Sequence, residues 1–346
     1  MNAYNANPVM SEPANPLVDF WNNILAEKFI RFRHVLVGGL SRHSAAVMPA
    51  LGIVPGSRVL DVGCGFGDTA IEIAHRVAPN GEVVGVDCCQ AFLDFAWRHA
   101  EFELAPNISF AVRDAERDLG EHEYDFVFSR FGTMFFMNPV AGLRSMRRAL
   151  KPGGRVAHIV WRRREDNPWL NLPHQTVRRF LPAPGEEALT CGPGPFSMAS
   201  EDVTRAQMEA AGFVDIDFER IDAKVMVGRN IEDAIAFQLA IGPAGETFRE
   251  AGELGQARRA EIVLALANLL WFVFAGLGAL TVEAQSGETA MVPSAVAWVA
   301  RLTPSGALTE ALSQAMTLSV DWFGLAVLAV WGAIAAACAL RWFRFT

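Results

Sequence analysis

Apolar and polar positions follow a repeating order over most of the chain. Short apolar runs that end in turn residues predict five buried strands, at residues 58–62, 82–87, 108–112, 125–129 and 156–161. Apolar positions at helical spacing between them predict helices at 68–77, 90–101 and 139–150, and LKPGGR at 150–155 predicts a turn. This order favours an α/β fold in which helices cover both faces of a doubly wound, mostly parallel sheet.

The flanking segments extend this domain. Residues 1–50 begin with an Asn- and Pro-rich tail and continue as helices, which we expect on the substrate side of the site. Residues 51–260 form the main domain, in which the proline- and aromatic-rich stretch 162–200 is interpreted as an insertion that covers the site. Beyond it we predict a helix with Ser200 as N-cap, an antiparallel strand pair and a further helix, at residues 200–211, 214–221 with 223–227, and 231–241.

The distribution of charge divides the chain near residue 260. Residues 262–346 contain three Arg and four acidic residues, whereas the preceding 261 residues contain 27 basic and 34 acidic ones. The net charge of -8 gives no reason to expect a basic nucleic-acid surface. No Cys/His spacing suits zinc, so we expect no metal site, and the first residues lack a signal-peptide pattern, so we expect a cytoplasmic main domain.

Two uncharged stretches in the tail, residues 261–346, predict a transmembrane hairpin. The stretch 262–282 would form a helix about 31 Å long, close to the ~30 Å hydrocarbon core of a bilayer. The stretch 322–340 is also uncharged and is followed by Arg341 and Arg344. Basic residues outside the pair and acidic residues in its loop place both ends in the cytoplasm, with attachment to the inner membrane. The alternative is a hairpin buried in a soluble core.

The turn after the first predicted strand carries the pattern DxGxGxG, which begins at Asp61. Its glycines permit a sharp turn and a close approach of backbone to a ligand. A nicotinamide-binding GxGxxG pattern would need glycine where Asp68 stands. Carboxylates near this turn suit a cationic ligand, whereas a pyrophosphate prefers the N–H groups of a helix N-terminus. The alternative is a strand-to-helix turn that binds nothing.

Two further acids follow the next predicted strands. Asp87 ends the second strand and Asp114 follows the third, and ligands of open α/β sheets bind at this carboxyl edge. A carboxylate at Asp87 can accept both hydroxyls of a ribose, and Asp114 can accept from an exocyclic amine. Each acid alone could be a helix cap or a solvated loop residue. Acids at three successive strand ends favour a binding site.

Five motifs in this order resemble those of a known family. They are VLDVGCGFG at 59–67, VVGVD at 83–87, RDAERDL at 113–119, YDFVFSRFGTMFF at 124–136 and LKPGGR at 150–155. Over roughly residues 17–250 the chain resembles the class I S-adenosylmethionine-dependent methyltransferases, especially the ubiquinone/menaquinone C-methyltransferases of bacteria. The resemblance implies the class I methyltransferase fold, methyl transfer as the activity and S-adenosylmethionine as the donor.

The resemblance also implies which residues bind the donor. Asp87 is expected at the ribose, Asp114 and Ala115 at the adenine, and Ser129 and Arg130 near the transferred methyl group. Cys64 and Cys88, which stand within and beside these motifs, are counted with the binding residues. The residues expected against the methionine portion are Asp61, Gly63, Gly65 and Gly67.

The sequence says less about the acceptor and the catalytic groups than about the donor-binding residues. Methyl transfer needs a general base only if the acceptor must lose a proton, and His158 and His174 are among the candidate bases, although each histidine could be structural. Arg130 is the third candidate catalytic residue. We expect residues 17–45 and the insertion to build an acceptor pocket for a small or lipidic apolar molecule. Its predicted lining is aromatic or apolar: Trp21, Phe131, Met134, Phe135, Trp161, Trp169 and Phe180.

The tail has a different resemblance. NLLWFVFAGLGAL at 268–280, ARLTPSGALTEAL at 300–312 and the apolar C-terminus are similar to the last part of ABC-2 type transporter permeases. That resemblance implies an ABC ATPase as a partner. A membrane-tethered methyltransferase is our leading interpretation. The alternatives are a transporter-associated protein whose methyltransferase-like domain only binds a ligand, and a soluble methyltransferase fused to a permease fragment.

Overall fold

A sheet of five parallel strands organises the larger of two units. The computed structural model describes residues 16–185, 193–269 and 322–342, and the chain divides into two compact units, Met1–Ile262 and Val263–Thr346. The spatial order of the strands is β3-β2-β1-β4-β5, and every pairing is parallel, which confirms the predicted parallel sheet. The strands are β1 (Arg58–Val62), β2 (Glu82–Asp87), β3 (Ile108–Val112), β4 (Tyr124–Arg130) and β5 (Leu150–Ile159).

Helices connect and cover these strands. A π-helical turn, Trp21–Leu25, separates the first two helices, and short 3-10 turns occur at Met48–Ala50, Thr133–Phe135 and Arg164–Asp166. The α-helices of the first unit are α1 (Pro16–Phe20), α2 (Ala26–Arg31), α3 (Arg33–Val47), α4 (Asp68–Val77), α5 (Gln90–Phe102), α6 (Pro139–Ala149), α7 (Pro168–Val177), α8 (Glu201–Ala211), α9 (Ile231–Gln238), α10 (Gly242–Glu250) and α11 (Gly252–Ala257).

Side chains of alternate strand residues enter two different cores, as the period of two in a strand requires. On one face, Val59 packs with Ile73 of α4 and Leu93 of α5. On the other, Leu60 packs with Leu143 of α6 and with residues of α8. The sheet is therefore covered by helices on both sides, and its strand order reverses between β1 and β4. The crevice at such a reversal is where open α/β sheets bind ligands.

Two local predictions can be compared with the structure. The hydroxyl of Ser200 accepts a hydrogen bond from the N–H of Val203 at the start of α8, so the predicted N-cap is confirmed. The predicted turn at 150–155 is instead the first part of β5. The pairing of β4 with β5 shifts register between Tyr124 and Phe126, and Gly153 has φ +80°. The turn residues of LKPGGR therefore produce an irregularity within a strand.

The predicted strand pair at 214–221 and 223–227 is wrong. These residues belong to no strand, and residues 221–227 alternate between half-buried and exposed positions. Ile216 and Val225 pack against the core that contains α6 and α8. Alternation in the sequence specifies which side chains are buried but does not supply a partner strand for the backbone, so the prediction failed.

The second unit is described only in part. Residues 263–269 are helical, and the residues of the predicted first span from 270 onward, with the link at 283–321, lie outside the described residues. The predicted second span, 322–340, falls in a helix, α12 (Trp322–Trp342). Among the helices of the described residues, none is long and apolar enough to cross a membrane.

A histidine within the sheet makes the stability of this fold depend on pH. His158 of β5 has Nδ1 2.9 Å from the hydroxyl oxygen of Thr133, and desolvation of the ring lowers its pKa to about 4. An unfolded histidine titrates near 6.5, so between pH 6.5 and 4 the unfolded chain binds a proton that the folded chain excludes. The contribution of His158 to stability is therefore present at neutral pH and is lost as the pH falls through this window.

We expect His158→Gln to reduce the loss of unfolding free energy between pH 7 and pH 5 by about 2 kcal/mol relative to the wild type. Urea denaturation at the two pH values measures this difference. The exposed His75 supplies the control, because His75→Gln should follow the wild type. An unchanged pH dependence in the His158 variant would contradict the prediction.

Candidate functional site

Three glycines shape the turn between β1 and α4. Gly63, Gly65 and Gly67 have φ values of +68°, +54° and +78°, in the left-handed region that side chains with a Cβ rarely adopt. A Cβ on Gly67 would approach the Cβ of Ala96 to 2.8 Å, so this glycine also allows α5 to pack closely. A Cβ on Gly65 would meet no atom within 4 Å. The turn thus has one glycine for packing and one that faces open space.

The carboxylate of Asp87 holds this turn against the end of β2. One of its oxygens accepts the N–H of Gly65 at 2.9 Å, and the other accepts the N–H of Cys89 at 2.9 Å. Burial raises the pKa of Asp87, while these backbone hydrogen bonds act in the opposite direction. The side chain predicted for a ribose is therefore held in a fixed position at the strand end.

A cavity opens at the carboxyl ends of β1 to β4. Most of the predicted donor residues line it, namely Gly63, Cys64, Gly65, Asp87, Cys88, Asp114, Ala115 and Arg130. Asp114 accepts the N–H of Glu116 at 3.0 Å and pairs with Arg117 at 3.3 Å. The topology thus brings the three strand-end segments together at one site.

The other predicted donor residues lie behind the cavity. Asp61 is fully buried, and one oxygen accepts the hydroxyl of Thr69 at 2.7 Å while the other, Oδ1, has no hydrogen-bond partner. Burial raises the pKa of Asp61 to about 7. Ser129 donates its hydroxyl to the carbonyl of Val62 at 2.7 Å. Asp61, Gly67 and Ser129 therefore support the turn from within the domain.

An ion pair crosses the cavity floor. Arg130 at the end of β4 donates to Asp68 at 2.7 Å and to the hydroxyl of Ser44 in α3 at 3.2 Å. The side chains of Arg130 and Asp68 are only 9% and 14% exposed, so both charges are held away from bulk water. The pair joins the glycine turn, β4 and the N-terminal helices at one point.

The two histidine candidates do not reach the cavity. His158 faces Thr133 within the domain, and His174 of α7 lies with its Nδ1 3.2 Å from the guanidinium of Arg164. Desolvation and the neighbouring Arg164 and Arg178 lower the pKa of His174. Of the three catalytic candidates, only Arg130 lines the cavity.

Aromatic rings form the opposite part of the cavity wall. Of the predicted lining, Trp21, Phe131 and Phe135 are present, and Phe29 and Phe136 are additional. Trp21 meets Phe29 and Phe135 edge to face at ring-centroid distances of 5.0 and 5.2 Å. These pairs fix the orientation of the indole ring.

Several predicted pocket residues lie behind this wall. Trp161 stacks on Phe131 at 3.9 Å and so supports the lining, and Trp169 stacks near Phe237 at 6.3 Å. Met134 is buried in the core, and Phe180 is not among the lining residues. None of the described residues of the insertion, 162–185 and 193–200, lines this cavity, whereas the insertion was expected to cover it. The N-terminal helices cover it instead.

Three polar lining residues were not assigned to the site from the sequence. Asp68 directly follows the glycine motif, and Arg113 and Glu116 lie within RDAERDL. Glu116 accepts the N–H groups of Met137 and Asn138 at 2.8 and 2.7 Å, so it holds the loop before α6. Position next to a strand end was the available signal for these residues, because such residues share the same edge of the sheet.

Comparison with known proteins identifies the family. A model described as a methyltransferase domain matches residues 53–177. The ubiquinone/menaquinone biosynthesis C-methyltransferase UbiE of Ectopseudomonas mendocina is 30% identical over 225 residues, which are 63% of this chain and 87% of that protein. The chain belongs to the class I S-adenosylmethionine-dependent methyltransferases. Its cofactor is therefore S-adenosylmethionine, and the prediction of an enzyme is confirmed.

Other relatives and solved structures align with a smaller part of this chain. UbiE of Pseudomonas putida strain F1 is 33% identical over 149 residues, and the alignment spans 42% of this chain and 58% of that relative. A methyltransferase structure from Aquifex aeolicus is 22% identical, with a TM-score of 0.37 and coverage of 49% of this chain and 78% of that one. One from Mesorhizobium loti is 24% identical, with a TM-score of 0.30 and coverage of 33% and 51%.

We expect Gly65→Ala to weaken the binding of S-adenosylhomocysteine by the methyltransferase at least tenfold, because a methyl group would enter the cavity beside Asp87. Gly56→Ala is a matched control, since Gly56 also has a positive φ and open space around its Cβ position but does not line the cavity. Both substitutions carry a similar backbone strain, of about 1 kcal/mol. Titration calorimetry measures the affinities, and equal weakening in both variants would contradict the prediction.

Proposed function

We propose that this methyltransferase transfers a methyl group to a ring carbon of an apolar, quinol-like acceptor. The observation that carries the proposal is that one cavity joins the glycine turn and Asp87 to the aromatic wall around Trp21. A donor at one end and a flat apolar acceptor at the other would then lie within reach of each other. Bound in this way, the two reactants need mainly correct placement for an in-line displacement.

The donor half is assigned to the strand ends. S-adenosylmethionine supplies an electrophilic methyl group on a positively charged sulfur. The open space at Gly65 leaves room for a ligand against the backbone, and the carboxylates of Asp68, Asp87 and Asp114 favour a cation. We assign Gly63 and the rest of the glycine turn to the methionine portion, Asp87 to the ribose, and Asp114 with Ala115 to the adenine.

The acceptor half is assigned to the aromatic wall. Phe131 has a φ of +57°, a strained conformation for a residue with a Cβ, and its ring is held by stacking on Trp161. Together with Trp21, Phe29 and Phe135 it offers apolar faces and edges that suit a planar ring. The name of the Ectopseudomonas relative, a ubiquinone/menaquinone biosynthesis C-methyltransferase, supports a quinol among such rings.

Arg130 is assigned to an oxygen atom of the acceptor. Its guanidinium has five N–H donors, of which Ser44 and Asp68 engage two by the hydrogen bonds described above. The remaining donors lie on a residue that lines the cavity and can stabilise negative charge on a phenolic oxygen. Because the described histidines lie outside the cavity, we propose no histidine base for this step.

We expect Phe135→Ala to raise the KM for 1,4-naphthohydroquinone about tenfold or more while leaving the affinity for S-adenosylhomocysteine within twofold, since the half-buried ring would contribute a few kcal/mol of contact to the acceptor. Phe102→Ala, on the exposed end of α5, is the matched control. Asp87→Asn should instead weaken the binding of S-adenosylhomocysteine. The assay follows labelled methyl from donor to hydroquinone under reducing conditions, and product analysis locates the new bond. Methylation at oxygen would contradict transfer to carbon.

Attachment to the inner membrane through residues 262–282 and 322–340 stays a prediction of the sequence. We expect the full chain to sediment with membranes after lysis and to resist alkaline carbonate extraction, because two apolar spans would hold it in the bilayer. Release by carbonate would contradict the transmembrane hairpin. Co-purification of an ABC ATPase would favour the transporter-associated alternative for the tail.

A further inference from the structure

A short N-terminal segment covers the cavity. We call residues 16–31, which contain α1, the π-helical turn and α2, the N-terminal cover. Leu17, Val18, Trp21 and Phe29 of this cover line the cavity. The cover therefore forms part of the wall around the acceptor, although it precedes the first strand by more than one helix.

Asn22 connects the cover to the sheet. Its side-chain NH₂ group donates to the carbonyl of Val18 at 2.9 Å, within the cover, and to the carbonyl of Cys88 at 3.0 Å. Both partners are acceptors, so only the nitrogen of the amide can face them, and the orientation of the side chain is determined. Asn22 thus uses one N–H inside the cover and one across to the end of β2.

The carbonyl that Asn22 contacts, that of Cys88, lies in the turn directly after β2. Cys88 stands between Asp87, whose carboxylate accepts the N–H of Gly65, and Cys89, whose N–H donates to the same carboxylate. A ligand held by Asp87 would therefore restrain the peptide unit that Asn22 contacts. Cys88 also lines the cavity itself.

Next to Asn22 stands Trp21, whose indole is the largest ring of the aromatic wall that we assign to the acceptor. Trp21 begins the π-helical turn, and its carbonyl accepts the N–H of Ala26, five residues later. The ring of Trp21 contacts Phe29 within the cover, Phe92 of α5 and Phe135 after β4. Adjacent residues in one irregular turn, a form frequent at functional sites, therefore contact the end of β2 and the aromatic wall.

We propose that Asn22 is a positioning residue that couples occupation of the donor site to the placement of Trp21 in the acceptor wall. The inference rests on the proposed donor site at Asp87. When the donor restrains residues 87–89, the Asn22 hydrogen bond restrains the cover, and the acceptor wall is completed. The coupling is reciprocal, so a bound acceptor would raise the affinity for the donor by the same factor.

The test compares three variants of the full chain by hydrogen exchange with and without S-adenosylhomocysteine. Asn22→Ala and the isosteric Asn22→Asp remove both N–H donors. Asn23→Ala removes a neighbouring, exposed amide of the same type in the same π-helical turn. In the wild type and Asn23→Ala, we expect the ligand to slow exchange both in residues 16–31 and in residues 58–67.

In both Asn22 variants, protection of residues 58–67 should persist and protection of residues 16–31 should be lost, with affinity for S-adenosylhomocysteine about fivefold lower. A purely structural role would change exchange of the cover equally with and without ligand. Retained ligand-dependent protection of the cover in the Asn22 variants would overturn the proposal, as would equal loss in Asn23→Ala. A wild type that binds no S-adenosylhomocysteine would instead contradict the donor site itself.

Discussion

The site depends on the hydrogen bonds that the carboxylate of Asp87 accepts from two backbone N–H groups. The carboxylate joins the N–H of Gly65 to the N–H of Cys89, so it links the turn after β1 to the turn after β2. The N–H groups of Gly63 and Cys64 both donate to the carbonyl of Val86 and reinforce the same junction. A turn with three glycines has little conformational preference of its own, and these bonds to the neighbouring strand end determine its shape.

Carboxylates beside the cavity, those of Asp68, Asp87 and Asp114, favour a cationic ligand over a pyrophosphate. Asp61 and Asp87 both have raised pKa values because burial disfavours their charged forms, and the nearby Arg130 is already paired with Asp68. A positively charged ligand would supply the compensating charge that the protein withholds, whereas a pyrophosphate would add to the repulsion. The Asp at position 68, which distinguishes this turn from a nicotinamide fingerprint, thus has a physical role as the partner of Arg130.

The elements and the gathering of the strand-end acids at one cavity could be predicted because their causes are local. The apolar runs and glycine turns determined the strands, and parallel strands bring the acids at their carboxyl ends to one edge. The acceptor end depended on long-range packing. The sequence indicated that residues near Trp21 and in 162–200 were aromatic, but only the fold shows that Trp161 lies behind Phe131 while Trp21 lies beside Phe135. The place of His158 could not be predicted for the same reason. A position within a strand does not tell whether the side chain faces the cavity or, as here, Thr133.

The two ends of the cavity are built from different kinds of contact. The donor end consists of strand ends and backbone hydrogen bonds within one sheet, whereas the acceptor wall comes from the N-terminal cover and the loop after β4. The edge-to-face contacts orient the rings but include no hydrogen bond to the strand ends. The directional hydrogen bond from Asn22 to Cys88 adds the constraint that the rings lack. A cover held in this way keeps Trp21 at a fixed place relative to the end of β2.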